Sequence, residues 1–110
     1  MAFTTATVAR VEQGNKQLQG AFVESWFATL TVDPASIAAG AEDTATFTIP
    51  GVALGDMVLG ASLGVDLVGL TVTGYVSAAN TVKFRIQNES TATVDLASST
   101  LKIVIGRPTI

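Results

Sequence analysis

Residues 26–33 read Trp26-Phe27-Ala28-Thr29-Leu30-Thr31-Val32-Asp33 and are followed by Pro34. Side chains on an extended backbone alternate between two faces, so Ala28, Leu30 and Val32 share one face while Phe27, Thr29 and Thr31 share the other. This is strand alternation, with one apolar face and one carrying hydroxyls. Pro34 ends the strand, because proline has no amide hydrogen for the ladder and biases the preceding residue away from the α region.

The same period recurs downstream. In residues 44–50, Ala45, Phe47 and Ile49 face inward, Thr44, Thr46 and Thr48 face outward, and Pro50-Gly51 closes the segment. The connection before it contains Gly40, which suits a tight bend. A short apolar strand is expected at 56–60. In 70–76, Leu70, Val72, Gly74 and Val76 oppose Thr71, Thr73 and Tyr75, and Gly74 on the inner face leaves room for a large neighbour or marks a bulge. Residues 77–80 form a hairpin-length link into 81–88, where Val82, Phe84 and Ile86 alternate with Lys83, Arg85 and Gln87. A brief strand is expected at 93–96. Residues 100–106 place Leu101, Ile103 and Ile105 inward and Lys102 and Val104 opposite, with Arg107-Pro108 as the stop.

These segments amount to about six or seven strands, with no helix-length segment between them. Two antiparallel sheets bury their matching apolar faces against each other, whereas one alone would leave a row of Phe, Leu, Ile and Val in water. The expected fold is therefore all-β, an antiparallel β-sandwich over residues 26–110. Residues 1–25 differ: they alternate briefly around Val8 and Val11 and are interrupted by Gly14-Asn15 and Gly20. They read as one or two edge strands or as an extended N-terminal arm that pairs with a neighbouring subunit.

A length of 110 residues fits one domain. Apolar residues make up 48% and charged residues 14%, against a usual charged share of roughly 25%. This describes a surface carried by Thr, Ser, Ala and Gly, or one that is hidden against partners. The net charge of −3 argues against nucleic acid as the main partner, since phosphate contact uses clustered basic surface. Without cysteine or histidine, the chain lacks thiol nucleophiles, thiolate ligands, disulfides and the commonest general base near neutral pH. The first ten residues do not read as a signal peptide, and no apolar run is long enough to span a bilayer, so no membrane association is expected.

The acids are dispersed. Asp56 and Asp66 fall in loop-like sequence, but a glycosidase pair would have to share a cleft, and turn acids are much the commoner reading. Glu42-Asp43 beside Asp33 or Asp95 lacks the dense spacing of a calcium loop. GVALG and GASLG carry no nucleotide fingerprint. Asn88-Glu89-Ser90 fits the glycosylation sequon and reads as coincidence. No catalytic, cofactor-binding or metal-ligating set emerges, and no enzyme activity or cofactor is expected.

The remaining candidates are interface residues. Trp26 and Phe22 lie where the irregular N-terminal segment meets the first strong strand; Trp26 is open to intrachain packing, subunit contact or ligand stacking. Tyr75 shares a face with Thr71 and Thr73. Lys83 and Arg85 form a small positive spot, with Lys102 across from it, suited to acids on another subunit or to an exposed edge that repels unwanted strand pairing.

The stretch from Leu30 to the C-terminal strand resembles small β-sandwich proteins among the virion components of tailed bacteriophages. The features that carry the resemblance are Val32-Asp33-Pro34, Ile49-Pro50-Gly51 with Gly55-Asp56, the turn from Val76 through Ser77-Ala78-Ala79-Asn80 to Val82, and Asn88 followed by Val94-Asp95. The resemblance implies a non-enzymatic virion structural protein, preferably a capsid decoration or cement protein. Such a protein would be assembled in the host cytoplasm, and its partners would be the major capsid protein and copies of itself as a dimer or trimer. The alternative is a tail-associated receptor- or carbohydrate-binding module, in which Tyr75, Trp26 and the end loops would meet a glycan.

Overall fold

The computed structural model describes residues 2–12 and 22–108. Among them the strands are β1 (Ala2–Phe3), β2 (Thr7–Glu12), β3 (Phe22–Asp33), β4 (Glu42–Thr48), β5 (Met57–Leu63), β6 (Leu70–Ala78), β7 (Thr81–Asn88) and β8 (Ser99–Pro108). They make two antiparallel sheets. The larger runs β1-β3-β8-β5, with β2 also pairing with β3, and the smaller runs β4-β7-β6. The expected all-β sandwich is what the chain forms.

The core lies between the sheets and follows the alternation. Trp26, Ala28, Leu30 and Val32 of β3 and Leu101, Ile103 and Ile105 of β8 are buried from one side, and Phe47, Val76, Val82, Phe84 and Ile86 from the other. Ile37, Val52 and Leu96, from the connections, join the same cluster. Gly74 has the neighbour expected of it: a Cβ there would stand 3.3 Å from Cδ1 of Ile103 in the opposite sheet. The β6–β7 hairpin turns through Asn80 at φ 61°.

The described part of the N-terminal segment takes the edge-strand form. Phe3 pairs with Val32 and Val8 with Ala28, and the Phe3 ring lies edge-on to Phe47 at 5.3 Å and to Phe84 at 6.4 Å. Residues 13–21 of the expected arm lie outside the described residues.

Three local expectations are corrected. Residues 93–96 are not a strand: Val94 makes a single bridge to Ile37, while Leu96 is buried from an irregular segment. The apolar strand expected at 56–60 begins at Met57 and continues to Leu63, because Gly60 sits at a bulge opposite Val104 that re-registers the strand without ending it. Arg107-Pro108 does not stop β8, which runs through Pro108 and pairs it with Phe22; a proline at the last position forfeits little of the ladder.

Candidate functional site

The five interface candidates fall in three places. Trp26 is 1% exposed and belongs to the core. Phe22 lies at the start of β3 with its ring over Gly106, so that a Cβ on Gly106 would come within 2.6 Å of it. Tyr75, Lys83 and Arg85 share the outer face of the smaller sheet. Lys102 is not across from Lys83: it points outward from β8 in the larger sheet, so the sandwich separates them. Nor do Lys83 and Arg85 guard an edge, since β7 is the central strand of its sheet.

Trp26 is closed off by Arg107, whose guanidinium sits 5.2 Å from the ring centroid. Arg107 donates through Nε to Asp56 Oδ1 at 2.9 Å and through Nη2 to Asp56 Oδ2 at 3.0 Å and the Gly51 carbonyl at 2.9 Å. Glu24 stands 3.4 Å away on the other side. The Asp56 hydrogen bonds, opposed by desolvation, raise the Arg107 pKa above its ordinary value. Arg107 therefore stays charged at every pH below the arginine range, and the stability that its raised pKa contributes is lost only as pH rises through that range. Asp56 Oδ2 also accepts from the Ala53 amide at 2.9 Å, and Asp66 Oδ1 accepts from the Val68 amide at 3.0 Å. Each acid of that pair thus holds its own loop, and they do not face a common cleft.

Two of the acids weighed for calcium have local partners: Glu42 lies 3.4 Å from Arg85, and Asp43 Oδ2 accepts from the Ala35 amide at 3.4 Å. The sequon asparagine is internal. Asn88 is fully buried; its Nδ2 donates to the carbonyls of Ile37 at 2.8 Å and Ala92 at 2.9 Å, and its Oδ1 accepts from the Ser90 amide and hydroxyl. With both amide hydrogens engaged inside the fold, that nitrogen is closed to a glycosyl transferase.

What the separate segments did not reveal is a contiguous apolar band on the outer face of the larger sheet. Phe27 pairs with Val104, which faces Gly60 across the β5 bulge, and Met57 pairs with Gly106 beneath Phe22. Phe27 is 41% exposed, Met57 51% and Leu59 41%. Exposed apolar side chains scattered singly are ordinary on a protein surface, whereas a contiguous group marks a contact surface. Along the same face the band gives way to polar residues: six threonines and Leu30 line a shallow hollow of about 220 Å³, beside Lys102 and Ser62. Alternation alone had placed Phe27 and Val104 outward; the signal missing was register, which makes them neighbours.

The chain has no match among protein-family models, characterised proteins or solved structures.

The outer face of the smaller sheet differs in kind. Thr46, Lys83 and Tyr75 form one cross-strand row, Thr44, Arg85 and Thr73 the next, and Glu42, Gln87 and Thr71 a third. No aliphatic side chain interrupts these rows. The sandwich thus presents one outer face with an apolar band and another of hydroxyls, cations and one exposed phenol.

Proposed function

We propose that this chain is a non-enzymatic virion structural protein, a capsid decoration or cement protein that binds the head lattice of a tailed bacteriophage through the outer face of its five-stranded sheet. The virion setting rests on the resemblance carried by residues 32–34, 49–51 with 55–56, 76–82, and 88 with 94–95. The contact surface rests on one observation: exposed Phe27 and Met57 and half-buried Val104 lie along one outer face, with exposed Leu59 at the β5 bulge and a threonine-rich margin. Lasting interfaces have this anatomy, a desolvated apolar centre with a polar rim. Low overall charge suits it too, since a chain held permanently against partners needs less charge for solubility. In this reading the partners are the major capsid protein and further copies of the chain as a dimer or trimer, on the capsid surface.

Side-chain-resolution imaging of virions that carry this chain tests the reading. The expected density is a sandwich on the head with its larger sheet turned to the lattice. Phe27→Asp should keep the fold and fail to sediment with heads, while Thr71→Ala on the opposite sheet stays bound. Density confined to the tail, or heads that retain Phe27→Asp fully, would overturn it.

A further inference from the structure

We propose that the outer face of the β4-β7-β6 sheet binds an acidic polysaccharide, with a sugar carboxylate at Lys83 and the sugar ring against Tyr75. The inference holds whatever the larger sheet contacts, so its failure leaves the lattice reading standing.

Charged side chains on sheets commonly block edges, but β7 is hydrogen-bonded on both sides, to β4 and to β6. Lys83 and Arg85 therefore stand in the middle of a face and protect no edge. Arg85 is partly answered by Glu42 at 3.4 Å, with both side chains well exposed. Among the described residues no carboxylate pairs with Lys83. An acidic chain of net charge −3 thus keeps an unanswered positive charge at the centre of one sheet.

Lys83 lies directly between Thr46 and Tyr75, and directly opposed side chains on neighbouring strands have Cβ atoms about 5 Å apart. One hydroxyl, one ammonium and one aromatic ring, 44% exposed, are therefore within reach of a single pyranose. An aromatic face takes the C–H side of a sugar, hydroxyls exchange hydrogen bonds with its own, and an ammonium takes a carboxylate as a charge-assisted contact. The adjoining Thr44–Arg85–Thr73 row extends the surface by about one strand residue pair, so a neighbouring sugar unit has partners as well.

Protein interfaces concentrate apolar and aromatic side chains at their centre, and these rows contain no aliphatic residue. Nucleic acid would need a longer run of unpaired cations. A hydroxyl-rich face with one free ammonium and one ring fits an acidic sugar best.

The test is titration of the full chain, by calorimetry and by amide NMR, with oligogalacturonate and a sialylated oligosaccharide. Their methyl-esterified and desialylated counterparts, polyglutamate and a short DNA strand serve as comparisons. The expected result is binding to an acidic oligosaccharide, with shifts confined to residues around 44–46, 73–75 and 83–85. Lys83→Gln and Tyr75→Ala should each weaken it by roughly tenfold, the scale of one lost charged or stacking contact, while Lys102→Gln on the other sheet leaves it unchanged. Unaltered melting of the variants confirms their fold, and the wild-type shift map stands without them. No binding to either acidic glycan at millimolar concentration, shifts located elsewhere, equal binding of polyglutamate or DNA, or an equal loss in Lys102→Gln would overturn the inference.

Discussion

Asn88 joins two connections that are otherwise irregular. Its amide bridges the Ile37 and Ala92 carbonyls while its carbonyl holds Ser90, so all of its hydrogen-bonding capacity is used in a site without solvent. Replacing Asn88 with Asp would set a carboxylate against two carbonyl oxygens. The expected loss is about 2–4 kcal/mol of unfolding free energy at neutral pH. Burial and the facing carbonyls would raise the folded-state pKa of the new acid. Stability is then retained below the unfolded value of about 3.9 and lost as pH rises through the folded one. Urea denaturation of the variant and the wild type between acid and neutral pH checks the sign; a stability deficit relative to wild type that is larger in acid than at neutral pH would refute it. In the sequence Asn88 stood out as a sequon and as one feature of the resemblance, neither of which shows its internal role. Its first partner lies 51 residues away, and no local pattern points across that gap.

Among the elements, the strands legible in the sequence were those with several alternations, β3, β4, β6, β7 and β8. In each, every inward residue named by period is buried or half-buried. Short stretches were less legible. At 93–96, two hydrogen bonds between Ile37 and Val94 tie a connection to the sandwich, and a four-residue alternation does not distinguish this from a strand. The two-residue β1 had no readable pattern, yet it carries Phe3 to the rings of Phe47 and Phe84. Because Phe3 is only partly buried, Phe3→Ala should cost about 2 kcal/mol, below the usual 3–5 for a fully enclosed phenylalanine. Thermal or urea unfolding would measure it, and a change within error of zero would mean that the N-terminal strands do not contribute to the core.

At the scale of the whole molecule, one core joins both sheets and the connections, and Trp26 sits in it under Arg107. Unfolding should therefore be a single cooperative transition, with Trp26 fluorescence and far-ultraviolet circular dichroism following the same curve. Midpoints that separate would show that the sheets come apart independently. The two outer faces set the direction of any attachment. The apolar band and the Lys83–Tyr75 row point away from each other, so a molecule seated by one presents the other to solvent.

Which side chains of the alternating strands enter the core was determined by the sequence itself, because the direction of a side chain on an extended strand follows its place in a period of two; Ile37, Val52 and Leu96 enter from connections that have no such period. Leu30, Phe47, Val82, Phe84 and Ile103 needed no knowledge of their partners to be assigned inward. Which outward residues become neighbours was decided only by the tertiary structure. Phe27 meets Val104 across 77 residues of chain through the β3–β8 register, and the bulge at Gly60 sets what stands beside them. Pairing is chosen by the docking of whole strands, so a surface made from several of them exists only once the sheets have closed.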